Sequence, residues 1–235
     1  MNEKQLSERL IKVASYVPKG AKVADIGSDH AYLPCYLCLQ DPSIRAIAGE
    51  VNEGPFQSAQ NQVIRVGLAD RIEVRKGNGL AVLEQGEVDT ITIAGMGGGL
   101  IATILDEGIN KLEGVTTLIL QPNVSADLIR HWLRKHGWFL YSEDIIEEDD
   151  KIYEILVAKP GDDKELYKEQ TQEKLLLGPY LMKERNEAFK KKWSYELANW
   201  QRILKEFDKA SGNDQIEQKR TELNRLINTV QEVLK

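Results

Sequence analysis

The chain is poor in cysteine and has no long hydrophobic run. Its 235 residues include only Cys35 and Cys38, whose close spacing does not favour a disulfide scaffold. The longest apolar stretch, residues 91–105, is interrupted by four glycines, and the first ten residues carry charge without an apolar core. These absences argue against secretion and membrane insertion, so we expect a cytoplasmic protein with no membrane partner.

Metal ligands and positive charge are also scarce. Three histidines and two cysteines are too small a set to favour a four-ligand zinc site, and we expect no bound metal. Cys35 and Cys38 stand among Tyr, Leu and Pro, which favours two buried thiols over a redox pair. The net charge of −6 argues against indiscriminate coating of nucleic acid, although a local basic patch remains compatible with it.

Short apolar runs alternate along the chain with longer segments of helical periodicity. An amphipathic helix at residues 3–17 precedes the first run. The predicted strands cover residues 22–27, 45–50, 71–76, 88–94, 115–121, 138–146 and 152–159. This order predicts an α/β fold with a mostly parallel, doubly wound sheet of seven strands, closed by an antiparallel pair.

A break at residues 160–163 separates a predicted domain of residues 1–160 from a helical segment of residues 161–235. In that segment two adjacent seven-residue registers carry large apolar side chains, namely Met182, Phe189 and Ile203 in one and Trp193, Trp200 and Phe207 in the other. A second apolar stripe at residues 216–234 follows a turn at residues 211–214. The pattern predicts an antiparallel helical hairpin or short coiled coil, and we favour a monomer over pairing between chains.

The charge differs between the two parts. Residues 1–160 hold 16 Lys and Arg against 23 Asp and Glu, whereas residues 161–235 hold 15 against 14. Five basic residues are predicted to share one helix of the hairpin: Lys183, Arg185, Lys190, Lys191 and Lys192. This cluster, like a smaller one around Arg130, could bind a phosphate backbone or could simply be solvated.

Small and acidic residues follow the predicted strands. Asp25 and Gly27 end the first strand, and Glu50 ends the second, 23 residues beyond Gly27. That distance is typical of the acidic residue that binds ribose hydroxyls in a nucleotide-binding βαβ unit. A G-x-G-x-x-G loop for a pyrophosphate is missing. The pattern favours an adenosine ligand without phosphates, of which S-adenosylmethionine is the commonest.

Three further loops extend this candidate site. Asn78 and Gly79 follow the third strand and could contact an adenine ring or form a simple turn. Residues 95–99 include four glycines and predict a wide, pliable floor where donor and acceptor meet. Gln121 and Asn123 could offer amides beside that floor, or could be a strand stop with a helix N-cap.

Six segments together resemble one family. They are DIGSDHAYLP (25–34), AGEVNEGP (48–55), RKGNGL (75–80), ITIAGMGG (91–98), LILQPN (118–123) and KIYEILVAKP (151–160). The chain resembles the TrmK family, the bacterial tRNA adenine-N1-methyltransferases that modify adenine 22 in the D-arm region. The resemblance implies a class I, Rossmann-like methyltransferase that uses S-adenosylmethionine, with the hairpin as a tRNA-docking element.

The resemblance also implies roles for individual residues. The implied cofactor contacts are Asp25, Gly27, Asp29, Glu50, Val51, Asn78, Gly79, Ala94, Gly95 and Met96. The implied catalytic residues are Asp29, His30 and Tyr32, and Gln121 and Asn123 are implied to border the target base. The charge pattern of the hairpin adds Lys190, Lys191 and Lys192 as candidate tRNA contacts.

The reaction limits what those residues have to do. Adenine N1 is an unprotonated lone pair at neutral pH, so the site mainly has to position donor and acceptor. Because the methylated ring is cationic, we expect Asp29 to assist electrostatically, with His30 and Tyr32 positioning the base. Alternatively, His30 is a helix-start residue bonded to its own turn, and Tyr32 packs under the sheet. A methyltransferase for another RNA or a small molecule, or a non-catalytic RNA-binding adaptor, are the competing functions.

Overall fold

A computed structural model of the protein describes residues 5–207 and 214–235. Seven strands are present in these ranges: β1 Lys22–Ile26, β2 Arg45–Glu50, β3 Ile72–Lys76, β4 Thr90–Gly97, β5 Thr117–Val124, β6 Trp138–Glu148 and β7 Lys151–Pro160. They form one sheet in the order β3-β2-β1-β4-β5-β7-β6. β7 pairs antiparallel with both β5 and β6, and the other neighbouring strands pair parallel. The predicted parallel sheet with a closing antiparallel pair is therefore confirmed.

Helices cover both faces of the sheet and form the C-terminal segment. They are α1 Glu8–Ser15, α2 Tyr32–Gln40, α3 Glu53–Arg65, α4 Gly98–Glu107, α5 Ala126–Lys135, α6 Thr171–Leu177, α7 Pro179–Glu184, α8 Glu187–Phe207 and α9 Asp214–Leu234. The first helix starts later than the predicted residue 3, because the Ser7 hydroxyl caps it by accepting a hydrogen bond from the Leu10 amide at 3.3 Å. No helix within the described ranges is both long enough and apolar enough to cross a bilayer.

The core consists of one apolar layer on each face of the sheet. On one face, α4 and α5 pack against residues such as Ile93 and Leu118. On the other face, α1, α2 and α3 cover residues such as Val23, and Cys35 and Cys38 lie fully buried in this layer. Burial raises the pKa of the Cys38 thiol to about 11, so at neutral pH it is not a reactive thiolate. The prediction of two buried thiols is therefore confirmed.

The glycine-rich segment after β4 is more ordered than the sequence predicts. β4 continues to Gly97 and pairs with β5 through a bulge, with Met96 opposite Pro122 and Gly97 opposite Val124. α4 then begins directly at Gly98. The predicted pliable floor is therefore wrong, because residues 95–97 are held as the bulged end of a paired strand.

The basic residues of the hairpin do not share one helix. Lys183 belongs to α7, and Arg185 ends that helix in a left-handed conformation with φ of 50°. Asn186 then caps α8, its side-chain oxygen accepting from the Phe189 amide at 3.0 Å. The prediction of one continuous helix is therefore wrong. The predicted turn at residues 211–213 lies outside the described residues.

The C-terminal helices share a core with the sheet. Phe189 and Trp193 of α8 and Val230 of α9 are buried with Ile145 of β6 and with the apolar side of α6 and α7. Trp200 is only partly buried. The hairpin is thus anchored at its base, where α8 starts and α9 ends, because α8 packs on strand β6 and α9 packs on α8 and α6.

Arg130 of α5 is fully buried, so it does not belong to the basic surface cluster predicted around it, whereas His131, Arg134 and Lys135 of that cluster are exposed. Its side chain forms ion pairs with Glu143 at 2.6 Å and with Glu154, and Lys192 of α8 pairs with Glu154 from the other side. Arg130 also donates to the main-chain oxygens of α6, including that of Leu176 at 3.2 Å. We call Arg130, Glu143, Glu154 and Lys192 the buried ion network. It joins α5, β6, β7 and α8.

Candidate active site

A cavity of about 270 Å³ opens at the carboxyl ends of β1 and β4, where the strand order of the sheet reverses. Such a switch point is the usual ligand site of an open α/β sheet. The cavity is lined by Arg9, Leu10, Asp25, Gly27, Ser28, Asp29, His30, Tyr32, Leu33, Ala94 and Gly95. The structure therefore brings together the predicted residues from the first and fourth strands, and adds Arg9 from α1.

The turn after β1 requires a glycine at position 27. Gly27 has φ of 74°, and its amide and that of Ser28 both donate to the Gly49 oxygen, at 2.9 and 3.1 Å. A Cβ at position 27 would lie 2.1 Å from the terminal methyl of Met96. The turn therefore lets β4 approach closely and leaves the main chain open to the cavity.

Asp25 is buried beneath this turn. Its carboxylate accepts from the Ser28 hydroxyl at 2.6 Å and from the Thr92 hydroxyl at 2.7 Å. Burial raises the pKa of Asp25, against the two hydrogen bonds that favour its charged form. Both carboxylate oxygens are thus already engaged, and Asp25 fixes the turn to β4.

Asp29, His30 and Tyr32 stand on one rim of the cavity. Asp29 and Ala31 both adopt left-handed backbone with φ of 53°, a conformation that is costly for non-glycine residues and is concentrated at functional sites. The His30 ring stacks on Tyr32 with centroids 5.2 Å apart, and the Asp29 carboxylate lies 3.6 Å from His30 Nε2. Tyr32 is half-buried, so it both packs on the core and borders the cavity.

Glu50 connects the loops that follow β1 and β2. It is 7% exposed. One carboxylate oxygen accepts from the amides of Val51 and Asn52 at 2.9 and 3.0 Å, and the other accepts from the Asp29 amide at 3.3 Å. Val51 beside it is exposed. Glu50 and Val51 thus stand beside Asp29, which lines the cavity, but neither of the two lines the cavity itself.

The loop after β3 lies next to Glu50 but outside the cavity. The Gly77 amide donates to the Glu50 main-chain oxygen at 3.0 Å, which fixes the loop beside β2. Asn78 and Gly79 line a separate cavity, also of about 270 Å³, together with Ile104. These two predicted adenine contacts are therefore near the site without lining its central cavity.

Gln121 and Asn123 hold Gly95 from both sides. The Gln121 side-chain oxygen accepts from the Gly95 amide at 3.0 Å, and the Asn123 side-chain nitrogen donates to the Gly95 oxygen at 2.8 Å. Gln121 is fully buried, whereas Asn123 is exposed. The alternative of Asn123 as a helix N-cap is wrong, because α5 begins only after Ser125.

Arg9 is the cavity residue that the sequence did not single out. It donates to the Gln121 side-chain oxygen, and its guanidinium carbon lies 5.0 Å from the centre of the Tyr153 ring. In the sequence it is one of several charged residues in an amphipathic helix, and no local pattern separates it from the solvated ones. Only the packing of α1 against β5 and β7 reveals its place.

The three lysines of α8 are each paired with an acidic residue. Lys190 pairs with Glu187 of its own helix at 2.7 Å, and its side chain is 55% exposed. Lys191 pairs with Glu147 of β6, and Lys192 belongs to the buried ion network. None of the three lines the cavity at β1 and β4.

Two other observations bear on the location of the site. A larger cavity, of about 630 Å³, lies near the opposite edge of the sheet, where Lys22, Arg45 and Ile72 begin β1, β2 and β3. It carries none of the predicted functional residues, and the chemistry therefore favours the smaller cavity. Within residues 5–207 and 214–235 no group of three or more His, Cys, Asp or Glu is arranged to hold a metal ion.

Comparisons with known proteins show the family to which the chain belongs. The family model of TrmK, tRNA (adenine(22)-N(1))-methyltransferase, matches residues 23–232. The Bacillus subtilis tRNA (adenine(22)-N(1))-methyltransferase is 50% identical over 235 residues, which cover 100% of this chain and 99% of the relative. The crystal structure of Bacillus subtilis TrmK has a TM-score of 0.95 at 49% identity, and the match covers 99% of this chain and 100% of that one.

A Streptococcus pneumoniae protein solved in complex with S-adenosyl-L-methionine is 44% identical, with a TM-score of 0.87, and the match covers 98% of this chain and 100% of that one. The expected Rossmann-like methyltransferase fold is confirmed by these neighbours. The family model spans most of the chain, and the Bacillus subtilis relative spans all of it. The chain therefore belongs to the TrmK family of tRNA (adenine(22)-N(1))-methyltransferases.

Proposed function

We infer that this protein methylates N1 of adenine 22 in tRNA with S-adenosylmethionine as the methyl donor. The observation that carries the inference is the cavity at the switch point between β1 and β4, which gathers the family's motif residues at one edge of the sheet. Since tRNA is the substrate, we keep the expectation of a cytoplasmic enzyme.

The residues at this edge fit that donor. Gly27 and Gly95 leave main chain exposed to the cavity, both with positive φ, so an extended ligand can lie against the two strand ends. The Glu50 carboxylate, with Val51 beside it, is suited to a ribose diol and the edge of an adenine ring. Asp25 and Asp29 are the acidic residues among those that line the cavity, which suits the positive charges of the methionine part. We propose these residues as the cofactor contacts, with Ala94, Met96, Asn78 and Gly79 completing the set.

The reaction requires the protein to position the methyl donor and the adenine base, and it does not require a group that abstracts a proton. S-adenosylmethionine supplies an electrophilic methyl group, and the N1–methyl bond forms as the sulfur–methyl bond breaks, which moves the positive charge to the adenine ring. Asp29, with its side chain 64% exposed at the rim, is placed to stabilise that charge. The stacked rings of His30 and Tyr32 offer a flat surface against which the target base can be oriented.

A direct assay tests the function and the role of Tyr32 together. Unmodified tRNA with adenine at position 22 is incubated with S-adenosylmethionine and analysed by nucleoside mass spectrometry; a tRNA with guanine at that position is the control. We expect N1-methyladenosine only in the tRNA with adenine at position 22.

Tyr32→Ala should lower the rate of tRNA methylation about 5- to 100-fold, the range of a lost base–aromatic stack, while the affinity for S-adenosylhomocysteine stays within twofold. Cofactor binding without any methylation of tRNA would instead support the adaptor.

The hairpin is proposed to hold the body of the tRNA. Lys190, Lys191 and Lys192 remain the proposed phosphate contacts, but their availability differs. Lys192 pairs with the buried Glu154, so a phosphate could recruit it only by leaving that carboxylate with Arg130, which also pairs with Glu143. Lys190 has only an exposed pair within one helix, which is worth little in water. Lys190 is thus the residue that a phosphate can engage most easily.

Lys190→Gln is expected to weaken tRNA binding and to reduce its salt dependence. One lost phosphate contact should lower the slope of log affinity against log salt by about 0.9. The measurement is a binding titration at several salt concentrations. Lys164→Gln, which removes an exposed lysine paired with Asp162, is the control and should leave the slope unchanged. An unchanged slope in Lys190→Gln would contradict a phosphate contact at this position.

A further inference from the structure

We propose that Arg9 binds the carboxylate of the methionine part of S-adenosylmethionine and of its product, S-adenosylhomocysteine. The proposal rests on the proposed function, since it assigns a subsite for that cofactor. It assigns the residue from α1, outside the strand-end motifs, as a cofactor-binding residue.

The position of Arg9 is fixed from two sides. Its Nη1 donates to the side-chain oxygen of the buried Gln121, and the guanidinium lies over the ring of Tyr153. A Cβ at Gly95 would lie at an ordinary contact distance of 3.5 Å from Nη1, so the guanidinium lies beside the end of β4. These contacts hold Arg9 in the wall of the cavity, to which Gly27 also contributes.

One nitrogen of this guanidinium has no partner. Arg9 Nε is buried and makes no hydrogen bond to any part of the chain that the structure describes. A guanidinium carries five N–H donors, and an unsatisfied buried donor is costly. A carboxylate can accept two parallel hydrogen bonds from such a group, including one from Nε. Nε itself is covered, but Arg9 lines the cavity, so a small rotation of its side chain would let an anionic or carbonyl ligand satisfy this donor.

The charges around the cavity indicate which group of the cofactor would contact Arg9. Among the residues described as lining it, Arg9 is the only Lys or Arg, while Asp25 and Asp29 are acidic. The methionine part carries a sulfonium, an ammonium and a carboxylate. The acidic residues suit the two cations, and they would repel the carboxylate. Arg9 is the group in this cavity whose charge matches the carboxylate.

A phosphate of the tRNA is the other anion that could reach Arg9. The structure favours the cofactor, because Nε is buried in the wall and its neighbour Gln121 is fully buried as well. A phosphate backbone approaches from the exposed rim, where Asp29 and His30 stand. The proposed place of the cofactor carboxylate is inside the cavity, whose wall includes Arg9.

The test compares two ligands that differ only in the carboxylate. S-adenosylhomocysteine and its decarboxylated analogue, S-adenosyl-3-thiopropylamine, are titrated by calorimetry into the wild-type protein, Arg9→Met and Arg9→Lys. We expect Arg9→Met to weaken S-adenosylhomocysteine by about tenfold or more, a typical loss for a charged hydrogen-bonded pair, and to change the analogue by less than threefold. Arg9→Lys should recover part of the affinity. Lys12→Met, on the same helix and paired with Asp144, should change neither ligand.

Each other outcome has a defined meaning. Equal weakening of both ligands in Arg9→Met would overturn the proposal in favour of a structural role through Gln121. Unchanged cofactor affinity with a smaller salt slope for tRNA would overturn it in favour of a phosphate contact. The wild-type protein alone also tests it, since equal affinity for the two ligands excludes a carboxylate subsite even where a variant fails to fold. Failure of the wild type to bind either ligand would overturn the cofactor assignment itself.

Discussion

Glu50→Gln should weaken binding of S-adenosylhomocysteine at least about tenfold. The carboxylate accepts three main-chain hydrogen bonds, which leaves one of its roughly four lone-pair sites for a ribose hydroxyl. A glutamine has one acceptor atom, and its amide nitrogen would face main-chain donors. A hydrogen bond to a charged group is worth about 1.5–3 kcal/mol, so the loss of the ribose bond alone predicts a dissociation constant about 10- to 100-fold higher. Isothermal titration calorimetry measures it directly.

A nearby glutamate provides the control for this experiment. Glu53 begins α3, is exposed and pairs with Lys76 at the surface. Glu53→Gln should leave the affinity within twofold of the wild type, because an exposed pair of this kind contributes little. If Glu50→Gln were to bind S-adenosylhomocysteine within threefold of the wild type, the assignment of the ribose site to Glu50 would be wrong.

Arg130→Met should cause the largest loss of stability among single substitutions of charged residues in the described chain. It removes the cation that faces the buried Glu143 and leaves Glu154 with Lys192 alone. Breaking a buried pair in this way typically costs about 3–5 kcal/mol. Equilibrium unfolding by urea at pH 7 measures the change. Arg134→Met, one turn away and partly exposed, should cost less than about 1 kcal/mol.

Two further measurements identify why Arg130→Met loses stability: the pH dependence of its free energy of unfolding, and the stability of a double variant. Burial raises the pKa of Glu143 even with Arg130 beside it, and without that charge the pKa should rise further. A carboxyl group whose pKa is higher in the folded state destabilises the fold as the pH rises through that pKa, so the deficit of Arg130→Met should shrink between pH 7 and pH 5. Arg130→Met with Glu143→Leu should recover much of the loss. A deficit that is equal at both pH values and is not recovered would mean that lost packing, and not the unpaired charge, is responsible.

The sheet and most of the site could be predicted because both follow from local patterns. Apolar runs of strand length give the strands, and parallel strands place their carboxyl ends at one edge, so Asp25 and Glu50 had to be neighbours. The break at Arg185 also had a signal, since Asn186 is a common N-cap residue just before an apolar helical pattern. That signal was outweighed by the seven-residue spacing of Met182 and Phe189.

Arg9 and Arg130 could not be predicted from such patterns. Each lies in an amphipathic helix where charged residues ordinarily face water. Each is drawn inward by partners more than ten positions away in sequence, Gln121 for one and Glu143 for the other. The spacing of residues within a helix carries no information about which strand side chain will face it. Contacts of this kind appear only when the whole chain is packed.

Two adjacent glycines beside the site differ sharply in what they permit. A Cβ at Gly98 would lie 1.9 Å from the Ser125 oxygen, within the backbone that starts α5. A Cβ at Gly99 would meet only the flexible tip of Leu128 at 3.4 Å. Position 99 can therefore accept a small side chain, whereas position 98 fixes the distance between α4 and α5. A single methyl group at position 98 would clash with the start of α5, the helix that carries Arg130 and so contributes to the buried ion network, which reaches α8.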